Sequence, residues 1–194
     1  MITYRLLNKL YIDNKLSVKE ISDRLNCSNN KVIYWMDKHK IKRRSISDAI
    51  YIRNNPNGDS FKLKSVENNY DNYLLGLGIG LYWGEGTKAS KYSIRLGNTD
   101  PKLILSFILF LEHILGVNRS NLKFGLQVFT DIDIASAMNF WCRELSIQPS
   151  QFYKPTVTIS GSIGTYKKKS LFGVVTVYYN NKKLRDILIS MLPK

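Results

Sequence analysis

Apolar residues recur at three- and four-residue spacing through most of this chain and alternate with polar ones in four short stretches. That mixture predicts helices interleaved with half-buried strands. Residues 3–13 read as a helix with Leu6, Leu7, Leu10 and Tyr11 on one side. Ser17 has Glu20 three positions later, a capping-box start for a helix over 18–25 that turns Ile21 and Leu25 inward. Asn26-Cys27-Ser28 is a short turn, and Ser28 caps a third helix to about residue 39, with Val32, Trp35 and Met36 as its buried stripe. Residues 45–53 make a further helix. Asn54-Asn-Pro-Asn-Gly-Asp-Ser60 is turn chemistry, and the stretch to 69 stays polar. The expected division is a first domain at 1–53, a linker at 54–69 and a second domain at 70–194.

In the second domain, residues 91–97 alternate as a strand, with Tyr92, Ile94 and Leu96 on one face and Arg95 on the other. Asn98-Thr-Asp-Pro101 opens a buried helix to about residue 115. Residues 122–129 form a second strand, with Phe124, Leu126 and Val128 inward. Thr130-Asp131 starts a helix carrying Ile134, Met138, Trp141 and Leu145. This strand, Thr-Asp, helix unit recurs at about 31 residues, a spacing chance can also produce. Residues 152–159 and 171–179 read as a hairpin whose long connection carries Lys167, Lys168 and Lys169. Asn181 caps a last helix with Leu184, Ile187, Leu188 and Met191 inward. The fold class is therefore α+β: a three-helix N-terminal domain, then mixed helices and antiparallel sheet. If each strand turns its apolar face to the helices, the opposite face gathers Arg95, Lys123, Gln127, Lys154, Thr156, Thr158, Thr176 and Tyr178.

One apolar stretch, Tyr73-Leu-Leu-Gly-Leu-Gly-Ile-Gly-Leu-Tyr-Trp-Gly-Glu85-Gly86, has no ordinary justification. As a helix it places Gly76, Gly80 and Gly84 on one face. Each glycine costs about 1 kcal/mol against alanine in a helix interior, so the stripe predicts close approach of another helix. The run is well short of the roughly 20 apolar residues a membrane span needs. Glu85 ends it, where a negative charge opposes the helix macrodipole by about 0.3–1 kcal/mol. A divalent cation would offset that cost; so would simple solvation past the helix end.

Gly80-Leu-Tyr-Trp-Gly84-Glu85-Gly86 resembles the signature helix of the LAGLIDADG homing endonucleases, in which a glycine stands five positions before an acid that is itself flanked by small residues. Gly97-Asn-Thr-Asp-Pro-Lys-Leu103 and Phe172-Gly-Val-Val-Thr-Val177 are similar to segments of bacterial relatives, so the likeness covers about residues 70–194. The resemblance implies that Gly80 and Gly84 pack against a second such helix and that Glu85 binds Mg²⁺ or Mn²⁺ over DNA. Only one signature helix is present, which implies a homodimer sharing the stripe Gly76, Gly80 and Gly84. The order of the elements after it departs from the family's paired-strand layout. Lys88, Gln127 and Lys154 are the candidates to polarise substrate or position water beside Glu85, taken from the charged face and from polar residues of this kind in the family.

Residues 16–41 read as a helix-turn-helix and resemble the recombinase-type version of it. Asn29, Asn30, Lys31 and Tyr34 then face outward at the start of its second helix, where asparagine pairs with adenine and lysine with guanine or phosphate. Lys42, Arg43 and Arg44 follow as phosphate-tracking cations, joined by Arg95, Lys123 and the 167–169 lysines.

Charge supports this picture. The 194 residues hold 29 Lys and Arg against 15 Asp and Glu, a formal charge of +14, which calls for a polyanionic partner. Double-stranded DNA is the expected partner, with RNA as the alternative and no membrane. Cys27 and Cys142 stand far apart without metal-ligand spacing. No nucleophile–histidine pair and no phosphate-cradling loop is evident. A cytoplasmic, nucleoid-associated DNA endonuclease dependent on Mg²⁺ is the expectation; a non-catalytic DNA-binding regulator on the same scaffold is the alternative.

Overall fold

The computed structural model describes residues 1–160 and 170–193. The described residues form α-helices and a four-stranded mixed sheet, an α+β arrangement. The chain divides into two compact units, Met1–Asp59 and Ser60–Lys194.

The first unit opens with α1 (Tyr4–Leu7), which widens into a π-helical turn over Asn8–Asp13. Leu7, Leu10 and Tyr11 are buried, whereas Leu6 is exposed at the surface. The inward expectation for Leu6 fails because the single turn of α1 buries Leu7 instead. Helix α2 (Val18–Arg24) begins with the Ser17/Glu20 capping box, each side chain bonding the other residue's backbone N–H. A turn ending at Ser28 leads to α3 (Asn29–Lys38), capped by that serine at Lys31 N. Ile21, Val32, Met36 and Ile41 close the small core with Leu7, Leu10 and Tyr11. Helix α4 (Ile46–Asn54) is capped by Ser45 and buries no residue.

The linker expectation of 54–69 is too long. Phe61 is buried in the second unit's core, and Lys64 N donates to Ile114 O. Gly116, at φ +63°, lies so close to the Lys62 carbonyl that a Cβ would stand 2.0 Å from its oxygen. Those contacts make the residues after Asp59 part of the second unit's packing.

That unit contains α5 (Asn69–Glu85), β1 (Ile94–Asn98), α6 (Pro101–His113), β2 (Lys123–Phe129), α7 (Ile134–Leu145), β3 (Thr156–Thr158), β4 (Val174–Tyr179) and α8 (Lys182–Ser190). The sheet order is β1-β4-β2-β3. β4 is antiparallel to β1 and β2, and β3 is parallel to β2. The hairpin expected of β3 and β4 is therefore absent: β4 sits between β1 and β2, and β3 forms an edge. The composition of β4, Val-Val-Thr-Val-Tyr-Tyr, suits a strand paired on both sides. The recurrent unit in the sequence corresponds to β1-α6 and β2-α7, each strand followed by a helix that leads to another strand running the same way. Asp100 caps α6, but Asp133 rather than Asp131 caps α7, so Ile134 begins the helix half-exposed and Ala137 takes the buried place. Met191 ends α8 exposed, outside the Leu184 and Leu188 core stripe. Tyr92 precedes β1 and is 71% exposed.

Candidate nucleic-acid interface

The strand registers align the outward positions in rows. Arg95, Tyr178 and Lys123 stand side by side on β1, β4 and β2. Gly97, Thr176 and Gly125 form the next row, and Val174, Gln127 and Thr156 the third. Their strand neighbours Ile94, Leu96, Phe124, Leu126, Val128, Val175 and Val177 are all buried in the core. Among the described residues, no paired position on the outer face carries a carboxylate. Seventeen Lys and Arg against nine acids lie in residues 60–194, so this face sits on a unit that is basic as a whole. Arg95 is aimed by Ser93, whose Oγ accepts from its Nε at 2.7 Å, and its guanidinium lies 5.3 Å from the Tyr178 ring centroid. Gln127 donates to Thr158 Oγ at 3.3 Å, and Lys123 Nζ reaches Ser150 O at 3.5 Å. Lys154 is exposed just before β3, off the paired rows. Lys167, Lys168 and Lys169 lie outside the described residues.

Helix α5 meets the edge of this sheet. Gly86 ends the helix and bridges to Leu96, and Thr87 N donates to Arg95 O at 2.9 Å. A Cβ at Gly86 would stand 2.3 Å from the Tyr82 ring, so glycine is required there by space alone. Glu85, one residue earlier, is exposed. Lys88 folds back so that Nζ donates to Trp83 O at 2.7 Å. That ammonium occupies the negative end of the helix, where a cation is favoured. Among the described residues no group of three His, Cys, Asp or Glu is placed to hold a metal ion. Glu85 belongs to no such three-group cluster, and Mg²⁺ held through one or two carboxylates keeps most of its octahedral shell as water. Gln127 and Lys154 belong to β2 and the segment before β3, away from β1, the strand the helix joins.

α5 shows two different glycine faces. Leu74, Gly78 and Tyr82 are buried, and a Cβ at Gly78 would stand 2.0 Å from the Phe110 ring of α6. This close contact within the chain uses a glycine outside the predicted stripe. Around Gly76, Gly80 and Gly84 a Cβ would meet nothing within 4 Å. Tyr73, 63% exposed, and Trp83, 57% exposed, flank Gly76 and Gly80 at the 3-4-3 spacing of a helix–helix seam.

In the first unit Asn30, Lys31 and Tyr34 are exposed along α3. Asn29 is exposed too, but its Oδ1 accepts from Ser22 Oγ at 2.6 Å, which leaves its amide N–H₂ facing out. Tyr34 packs edge-on against Trp35, and Lys38 Nζ lies 4.9 Å from the Trp35 ring centroid. Lys42 and Arg43 are exposed. Arg44 is the correction to the phosphate-tracking set. Its guanidinium donates to the carbonyls of Tyr11, Lys15 and Leu16 and lies 4.0 Å from the Tyr11 ring centroid, while its backbone N donates to Tyr11 Oη. It holds the end of the first helix instead of facing solvent.

Three features escaped sequence reasoning: Gly78, Arg44 and the packing of Tyr153 on Tyr178. Gly78 lies two positions from the stripe, and the i, i+4, i+8 row Leu74, Gly78 and Tyr82 was the available signal of a second face. Nothing in the local sequence marks Arg44 apart from Arg43. No helix among the described residues is long and apolar enough to cross a membrane. No protein-family model matches the chain, and neither the curated proteins nor the solved structures give a match to it.

Proposed function

We propose that this chain binds double-stranded DNA at specific sites as a homodimer of LAGLIDADG type, with a helix-turn-helix formed by α2 and α3 adding base contacts. The observation that carries the reading is the outer sheet face, where residues far apart in sequence assemble a basic, carboxylate-free surface. The open seam Tyr73, Gly76, Gly80 and Trp83 supports pairing with a second copy, which would bring two Glu85 side chains toward each other. Cleavage dependent on Mg²⁺ would draw on that second carboxylate, since among the described residues Glu85 has no three-group ligand cluster around it. A protein of this kind would work on chromosomal DNA in the cytoplasm. The non-catalytic regulator is kept as a second reading because Lys88 already neutralises the helix end beside Glu85.

The test incubates the full chain with duplex DNA from its own locus, at low salt, with and without Mg²⁺. Retarded duplex is expected, and its absence refutes the proposal. Strand breaks that vanish in Glu85→Gln identify the nuclease; binding without breaks in any divalent metal identifies the regulator.

A further inference from the structure

The outer sheet face is not uniformly polar. At one end of it Tyr178 has Arg95 and Lys123 as cross-strand neighbours. Its ring leans over Gly125, where a Cβ would stand 3.1–3.5 Å from Cε2, Cζ and Oη. The absence of a side chain at Gly125 is what lets the ring lie along the sheet instead of standing from it. Tyr153 meets it edge-on, with centroids 5.5 Å apart and planes at 81°, and is 44% exposed. Asn180 Nδ2 donates to Tyr153 Oη at 3.0 Å and fixes that ring. The two tyrosines make an L-shaped corner with a floor and a wall, flanked by Arg95 and Lys123.

The next row holds only Gly97, Thr176 and Gly125. Reading base edges in a duplex groove needs long side chains that stand up from the sheet. Here the centre of the face is low, and the exposed aromatic surface at its end is the Tyr153 ring, beside a half-buried Tyr178 that has the Arg95 guanidinium over it. Stacking on a ring face is open to a base only when it has left its partner, and such stacking contributes about 1–3 kcal/mol per base. We infer that the Tyr153–Tyr178 corner stacks an unpaired nucleobase while Arg95 and Lys123 hold the flanking phosphates. The site's ligand class is then a single strand or a duplex with an extruded base, in DNA or RNA. This inference rests on the proposed nucleic-acid binding by the same face and refines what is bound.

The test uses the full chain and four probes with 2-aminopurine at the centre: single-stranded DNA, the matching RNA, a perfect duplex and a duplex with that base bulged. Stacking is expected to quench fluorescence on binding the single strands and the bulge, and these are expected to bind at least tenfold tighter than the perfect duplex. Tyr153→Phe should keep the quench and Tyr153→Ala should lose it. The Tyr153 variants touch an exposed ring, so a matching circular dichroism spectrum controls for folding. Tight duplex binding with no preference for the bulge and no quench would overturn the inference and leave the DNA-binding proposal standing. A quench untouched by Tyr153→Ala overturns it too. No binding to any probe would overturn both.

Discussion

Arg43 and Arg44 are adjacent, equally charged and differently used. Arg44 is enclosed by three carbonyls and an aromatic ring, whereas Arg43 is exposed. Removing the Arg44 side chain leaves those carbonyls without their charged donor, so Arg44→Ala should destabilise the first unit by about 2 kcal/mol. Arg43→Ala should leave the urea midpoint unchanged and lower the salt slope of DNA binding by about 0.9 if it meets one phosphate. Equal effects of the two variants on stability would contradict this division. Glu20 gives a pH counterpart. The Ser17 backbone N–H and hydroxyl hold its carboxyl below the usual range, against slight desolvation. The contribution is therefore present above the unfolded-state value near about 4.3 and is lost as pH falls through the lower folded value. Wild type should be more stable than Glu20→Gln at neutral pH, and the gap should close on acidification; a gap independent of pH would contradict the assignment.

At the scale of the element, α5 separates two uses of glycine that look alike in sequence. Gly78→Ala drives a methyl into Phe110 and should cost about 1–3 kcal/mol despite alanine's better helix propensity. Gly80→Ala has open space around it and, where the chain is monomeric, should gain up to about 1 kcal/mol. Thermal melts at low protein concentration check both signs. If Gly80 serves a helix pair, the same alanine should weaken self-association measured by sedimentation, so that stability and assembly move in opposite directions. The i, i+4, i+8 stripe was readable because helical periodicity is local. Which glycine face meets α6 was not, because that depends on where Phe110 lands. Likewise the Ser17/Glu20 box, the Ser28 and Asn181 caps and the inward residues of β2 follow from spacing over a few positions. The order β1-β4-β2-β3 does not, since strand pairing joins residues about eighty apart and several pairings bury the same apolar faces.

For the whole molecule, charge motivates a polyanionic partner and topology determines which residues share a face. Twelve Lys and Arg against six acids in residues 1–59 make the first unit basic as well, so each unit has its own electrostatic reason to meet a polyanion. The co-facial set was largely legible because alternation fixes the side of each strand. The tyrosine corner was not, because Tyr153 lies before β3 and reaches Tyr178 only through the parallel run of that segment beside β2. The central claim is that the outer sheet face binds nucleic acid. Its most direct measurement is the slope of log affinity against log salt for duplex DNA, compared between wild type and the double variant Arg95→Ala/Lys123→Ala. The account predicts weaker binding and a slope smaller by about 1.8, two phosphates' worth. An unchanged slope and affinity would show that nucleic acid, if bound at all, is bound elsewhere.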